Sequence, residues 1–461
     1  MQRLLAITWL TWKAALRFRL FLVIAVLLLA SVVGLPILIE DDGTARGFTQ
    51  ILLTYTLSVI TGLLGLSTLW LACGTLARDI EECQIQVLAT KPIARWQIWL
   101  GKWLGIMSLN AALLGLSGAS VFALMQWRAT RLPPEEQHVL RNEVLVARGS
   151  IRPDAFTGEI EAQAERELRE ILSKTPVSAS DLPLLRTQIR ERIKSAYQLA
   201  PPGMPKPWQI DLGRVKDSLR DRPLYVRVKF NTANFSSSGT YTGLWRIGVP
   251  GTTLFWDSEP MSLAPDTFHE FEIPPNLFDE EGRLTIVFFN SSDTTLLFPL
   301  EEGMEVLYRE SGFGVNFIRG LGVIFCWMAL LATIGLASAS FLSFPVAAFC
   351  SLGLLTMAFS TGTLATAVEE GTLMGYDHEG GPAAATLVDQ MLIPLFSGAL
   401  KVINLAKDFS PIDSLSTGRS ITWGQLARAV GQIVVLLSGI IGAIGVVIFS
   451  RRELATAQGN Q

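Results

Sequence analysis

Six stretches of the chain, at about 20–39, 51–73, 103–125, 315–338, 345–366 and 429–449, are predominantly apolar, and their central parts hold no Asp, Glu, Lys or Arg. A membrane-crossing helix needs roughly 20 such residues, because the hydrocarbon core is about 30 Å thick and a helix rises ~1.5 Å per residue. The pattern therefore predicts six spans. A seventh stretch, 384–405, is interrupted by Asp389, Pro394 and Lys401; it reads as re-entrant or interfacial, since a charge at mid-bilayer is costly. Ahead of the first span, Trp9, Trp12 and Leu16 alternate with Lys13 and Arg17. That is the pattern of an amphipathic helix lying in the interface, and it argues against a cleaved signal peptide.

Between the third and fourth spans the period changes twice. Ile160, Ala164, Leu168, Ile171 and Leu172, then Leu182, Leu185, Ile189, Ile193 and Tyr197, keep a helical spacing on either side of Thr175-Pro176, with Ser180 placed to cap the second helix. After Pro201-Pro202-Gly203 the period becomes two: Leu224, Val226, Val228 and Phe230 alternate with Tyr225, Arg227 and Lys229. Further short strands fit 244–249, 268–273, 284–290 and 304–309, and such punctuation points to a β-sandwich. The expected fold is an α-helical membrane protein with six transmembrane helices and an inserted extracytoplasmic α+β domain, a helical hairpin plus a β-sandwich. Its parts are 1–125, an interfacial helix and three spans; 126–204, an outer helical segment; 205–314, the sandwich; and 315–461, three further spans.

Composition agrees with that reading. Of the 461 residues, 49% are hydrophobic and 17% charged, against ~25% charged in soluble chains. A net charge of −3 gives no reason to expect nucleic acid as a partner. The four cysteines, Cys73, Cys83, Cys326 and Cys350, leave the central block without one, so no disulfide framework is expected there. Three scattered histidines, His138, His269 and His378, argue against a zinc site, and no cofactor or metal is implied. Asp377-His378-Glu379 lies in a Gly-rich loop and reads as a solvated turn. In the outer block, Trp208, Trp245 and Trp256 are candidate ligand platforms but read more simply as core. Asn234-Phe-Ser and Asn290-Ser-Ser match the glycosylation pattern.

Basic residues set the orientation. Arg3, Lys13, Arg17 and Arg19 precede the first span; Arg78, Lys91, Arg95 and Lys102 lie between the second and third; Arg451 and Arg452 close the sixth. The loop after the first span is acidic, with Glu40, Asp41 and Asp42. Both termini are thus expected in the cytoplasm and residues 126–314 outside. Trp9, Trp12, Lys13, Arg17, Arg451 and Arg452 are the expected interfacial anchors.

The loop between the second and third spans carries the most specific pattern. Asp79, Glu81 and Glu82 open it, Ile85 and Leu88 suggest a short helix, and Pro92 ends that helix. A second short helix then carries Trp96, Trp99 and Trp103 toward the bilayer, with Lys102 expected to snorkel to the interface. Here the sequence resembles the permease subunits of ABC-2 type transporters, in particular those associated with copper-enzyme maturation and gliding. Arg78-Asp79-Ile80-Glu81 fits the opening of that family's segment, Pro92 and Arg95 its turn, and Leu100-Gly101-Lys102 its close. Cys83-Gln84 departs from the usual Gly-Thr. The tail, Ser410-Pro411, Ile421-Thr422-Trp423 and Phe449-Ser-Arg-Arg-Glu-Leu-Ala455, resembles the family's ending. The resemblance covers about 1–125 and 315–455 and leaves 126–314 as an insertion.

It implies a cytoplasmic ABC ATPase as partner, a second permease chain, and a bacterial cytoplasmic membrane as location. Arg78, Asp79, Glu81, Glu82, Pro92, Arg95 and Lys102 would form the ATPase-coupling loop. No G-x-x-x-x-G-K-[ST] loop is present, so ATP would be hydrolysed on another chain. The apolar span centres argue against proton or sodium coupling, which uses intramembrane ionisable groups. A membrane-anchored outer binding or scaffold protein is the alternative. An intramembrane enzyme is disfavoured, because neither H-E-x-x-H nor G-x-S-x-G occurs.

Overall fold

The computed structural model describes residues 2–17, 19–38, 45–82, 84, 93–140, 144–154, 156–174, 182–232, 239–359, 365, 368, 392–394, 396–398, 400–401, 403–404 and 409–452. The chain divides into two compact units, Met1–Ala147 with Ser311–Gln461, and Arg148–Glu310. The second is narrower than the insertion expected at 126–314. The third span runs on as helix to Ala129, and Ala129, Leu140 and Val144 form a small cluster belonging to the first unit.

Four helices of the first unit are long and apolar enough to cross a membrane: Thr49–Glu81, Arg95–Ala129, Phe313–Ala339 and Trp423–Arg451. A fifth span counts if Gln2–Arg17 and Phe21–Leu35, bent by 78°, are taken as one. At 345–366 the described apolar helix is Phe344–Met357, shorter than a span, and residues 360–364 lie outside the described set. The described residues therefore make this a membrane protein with four or five helices long and apolar enough to span, and do not by themselves reach the expected six. The stretch 384–405 falls mostly outside the described residues, as do Asp377-His378-Glu379, Asn234, Ile85, Leu88 and Pro92.

The helices overrun their apolar cores. The second apolar run belongs to a helix of 37 residues, Ala45–Glu81, and the third to one of 35, Arg95–Ala129. At ~1.5 Å per residue each is over 50 Å long, so each projects several turns beyond a ~30 Å hydrocarbon core. The separate helix expected to carry Trp96, Trp99 and Trp103 is the start of this 35-residue helix. Residues 95–102 contain no proline, so nothing removes a backbone donor and stops the helix short.

The N-terminal helix Gln2–Arg17 is docked as well as amphipathic. Ile7, Thr11 and Ala15, spaced by four, are its buried face. They meet Gly101 and Gly105 on the helix Arg95–Ala129, where an added Cβ would come within 2.8 Å of Ile7 and 2.6 Å of Thr11. Small residues allow this approach between backbones. Trp12 donates its indole N–H to Ser108 Oγ at 2.8 Å, so it ties two helices together, whereas Trp9 is exposed with Lys13 at 5.8 Å from its ring. Gly105→Val is expected to cost about 1–3 kcal/mol through overpacking. A cysteine at buried Thr11 should then become reactive to maleimide; labelling that stays as slow as in the parent would show the helix still docked.

The last helix packs through Gly442 and Gly445 against Trp99, Thr333 and Ala337. Between Val430 and Ser438 it is π-helical, and Ser438 Oγ donates to the Ile433 carbonyl at 2.9 Å.

In the second unit the two helices Thr157–Lys174 and Leu182–Gln198 form a hairpin over Ile160, Ala164, Ile189 and Ile193. The strands Val146–Ile151, Met304–Gly312, Leu224–Val228 and His269–Ile273 make a four-stranded sheet in that order. A five-stranded sheet runs Pro205–Asp211, Arg283–Asn290, Tyr241–Gly248 and Phe255–Asp257, with Met261–Leu263 also on the Tyr241 strand. Leu224, Val226, Val228 and Val306 from the first sheet share one core with Trp208, Trp245, Ile247, Ile286 and Phe288 from the second. A third, small sheet joins Leu199–Ala200, Leu296–Leu297 and Asn231–Thr232. Trp208 and Trp245 stack within the core, at 6.1 Å between centroids, and are not exposed platforms. Asn290 is also buried, with its amide donating to the Ala200 and Thr294 carbonyls, so it is not presented for glycosylation.

Candidate functional site

The residues that resemble the coupling segment sit where several helices end. Lys102 is 5% exposed, and its ammonium bonds Asp79 Oδ2 at 2.5 Å and the Thr75 carbonyl at 2.8 Å. It does not snorkel. Twenty-three residues apart, Asp79 and Lys102 close the end of one long helix onto the start of the next. Glu81 Oε1 accepts from the backbone N–H of Phe344 at 2.8 Å, supplying an acceptor to the first turn of a third helix. Arg78 lies over the Phe344 ring, 4.7 Å from its centroid.

Arg95 works at the other side of the gap. Its Nη1 donates to the carbonyls of Phe449, Ser450 and Arg452, at 3.2, 2.7 and 2.8 Å. A cation on the orphan carbonyls at a helix C-terminus is favourable both as hydrogen bonding and against the helix dipole. Arg452 in turn donates to the Ser340 carbonyl at 3.1 Å, closing the end of the helix Phe313–Ala339. Arg451 is exposed in the last turn, as are Lys13 and Arg17 on the N-terminal helix. Glu82 stands apart: it is exposed, and its carboxylate accepts from Gln84 at 2.6 Å.

Most of the proposed loop residues thus bind other helices of this chain. The helices ending at Glu81, Ala339 and Arg451 are joined to those starting at Arg95 and Phe344 by side chains from this short segment and from Arg452. Asp79 pairs with Lys102 and Arg95 bonds backbone carbonyls, while Lys91, the other expected partner of the acids, lies outside the described residues. Gly101 and Lys102, adjacent in sequence, have separate tasks, one admitting the N-terminal helix and the other neutralising Asp79.

Two charged features lay outside the sequence reading. Arg319 is 7% exposed inside the fourth apolar run; it donates to the Ile421 carbonyl at 3.0 Å and lies 4.7 Å from the Trp423 ring. Its neighbour one turn earlier, Asn316, bonds both Arg419 O and Ile421 N. An Arg four residues into an otherwise apolar run was the available signal. The other feature is an ion ladder in the second unit. Arg227 faces Glu305 on one neighbouring strand and Glu270 on the other, in register, and bonds both, at 3.3 and 3.2 Å. Arg148 also pairs with Glu270, and Ser150 donates to Glu305 at 2.7 Å. Desolvation pulls the Arg227 guanidinium below its ordinary pKa, and the two carboxylates oppose that.

The second unit also has an open cleft of about 320 Å³, lined by Phe156, Tyr197, Lys206 and Pro205 among others. Burial lowers the Lys206 pKa to about 8, and its ammonium donates to the carbonyls of Tyr197 and Leu199. Among the described residues no cluster of His, Cys, Asp and Glu is placed to hold a metal ion. The chain matches no protein-family model, and neither a curated protein nor a solved structure is similar to it. The family resemblance therefore rests on the motif residues alone.

Proposed function

We propose that the chain is the membrane-spanning permease subunit of an ABC transporter, powered by a separate cytoplasmic ATPase and working with a second permease chain. The observation that carries this reading is the set of bonds from Arg78, Asp79, Glu81, Arg95 and Lys102, which join four helix ends around one short connection, with Arg452 tying in a fifth. A push on that connection would be passed to all five helices together, as mechanical coupling to an ATPase requires. In this reading that end faces the cytoplasm, residues 126–314 lie outside, and the protein sits in a bacterial cytoplasmic membrane. The alternative, an anchored outer binding or scaffold protein, draws support from the cleft at Tyr197 and Lys206 but leaves the tied helix ends without a purpose.

Glu82 is the acid best placed to meet a partner, since Asp79 and Glu81 are engaged within the chain. Glu82→Lys is expected to leave the permease folded and to weaken ATPase co-purification about tenfold or more, the scale of a desolvated interfacial charge pair. Retention of the ATPase at the parent level would show that Glu82 is not at the interface. Glu81→Lys is the poorer probe, because it also removes the acceptor at Phe344.

A further inference from the structure

The other end of the helical unit holds a polar cleft of about 190 Å³, lined by Ser410, Ser414, Gln425, Arg428 and Gln432 together with apolar side chains such as Val323. Gln425, Arg428 and Gln432 are spaced by three and four, so they form one stripe on the spanning helix Trp423–Arg451. Ser410 and Ser414 face them from the short helix Pro411–Ser416 and the residue before it.

Three observations mark this cleft as a binding site. Arg428 is exposed near the start of the spanning helix Trp423–Arg451, at the edge of its apolar stretch, and among the described residues its side chain has no hydrogen bond or ion pair. A cation at the end of a span, beside a polar cleft, is placed where lipid phosphates lie. Second, Arg319, one turn before Val323, is almost fully buried and its Nε has no hydrogen-bond partner. Its head bonds Ile421, which also lines the cleft, so a second cation adjoins it. Third, the π-helical segment begins at Val430, between Arg428 and Gln432; such segments recur at functional sites. The acid nearest in sequence, Asp413, is exposed and does not line the cleft.

We propose that this cleft binds the phosphate group of an anionic phospholipid. Arg428 is the counter-ion, and Gln425, Gln432 and Ser410 supply hydrogen bonds to the phosphate and glycerol oxygens, the Ser414 hydroxyl being committed to the Ser410 carbonyl. The volume suits a headgroup and falls below the ~300–1,000 Å³ of pockets that enclose drug-sized ligands. Beyond the polar stripe the helix face becomes apolar at Val435 and Leu436, both exposed. They follow Gln432 by three and four residues, so acyl chains leaving the headgroup would run along them. The proposal does not depend on an ATPase partner.

The test is native mass spectrometry of the full-length protein in dodecyl maltoside, titrated with dioleoyl phosphatidylglycerol or dioleoyl phosphatidylcholine. Phosphatidylglycerol should bind more tightly, and Arg428→Gln should weaken it about tenfold, as expected for loss of a charge-assisted hydrogen bond, while phosphatidylcholine, whose choline cation offsets the same phosphate, should lose less. Arg131→Gln, which alters an exposed arginine stacked on Trp127, should change neither. If Arg428→Gln does not fold, Gln432→Leu serves in its place with a smaller loss expected. Equal phosphatidylglycerol affinity in parent and variant would overturn the proposal, as would an equal loss in Arg131→Gln. Competition by millimolar inorganic phosphate or glycerol 3-phosphate would assign the site to a free phosphate and overturn the lipid assignment.

Discussion

Replacing Lys102 by methionine while Asp79 remains is expected to destabilise the helical unit by about 3–5 kcal/mol, the usual cost of leaving one buried charge of a pair uncompensated. The carboxylate would lose its counter-ion where Lys102 is nearly inaccessible, and the Thr75 carbonyl would lose its donor. Asp79 retains some solvent contact, which places the loss toward the lower figure. Asp79→Leu combined with Lys102→Met should recover most of the stability, because an apolar pair of similar volume carries no desolvation penalty. Thermal unfolding of the detergent-solubilised full chain distinguishes the cases. A single variant as stable as the parent would mean that the pair is solvated and contributes little.

The second large effect is expected in the ion ladder. Glu305 accepts from Arg227 and Ser150 and is almost fully buried, so Glu305→Ala leaves two buried guanidiniums, Arg227 and Arg148, to share the one carboxylate of Glu270. About 3–5 kcal/mol is a large share of the ~5–15 kcal/mol that holds a domain together. It corresponds to a fall of roughly 10 °C or more in the melting of a unit this size. Proteolysis of the full chain, followed by where cuts appear, should show the Arg148–Glu310 unit opening while the helical unit stays protected. Indistinguishable cleavage in parent and variant would mean that the ladder is not needed for the fold.

The contrast between these two sites shows what could be read from sequence. Hydropathy located the apolar runs, since each must bury or face lipid whatever surrounds it, and alternation located the strands 224–228 and 284–290 for the same reason. Helix ends were less legible: Arg78 to Glu81 is polar and looked like loop, and Arg95 to Lys102 looked like a separate short helix, yet backbone hydrogen bonding joins each to the adjoining apolar run. Lys102 looked like a snorkelling lysine because its partner lies twenty-three residues away, with no periodicity linking the two. Arg227 sits in the polar half of the alternation, where nothing in the sequence marks it as buried. Only the register, which places Glu305 and Glu270 on either side, shows why it is buried. The docking of the N-terminal helix depended on Gly101 and Gly105, whose role is an absence of side chain and becomes visible only against Ile7 and Thr11.

The most direct test of the transporter account is ATP hydrolysis by whatever complex is isolated from native membranes through an affinity tag on this chain. The chain has no phosphate-cradling loop of its own. The account predicts a co-purifying ATPase whose turnover falls with Glu82→Lys and persists when the whole unit Arg148–Glu310 is replaced by a short linker. A stable, folded preparation that contains no ATP-hydrolysing partner would contradict it.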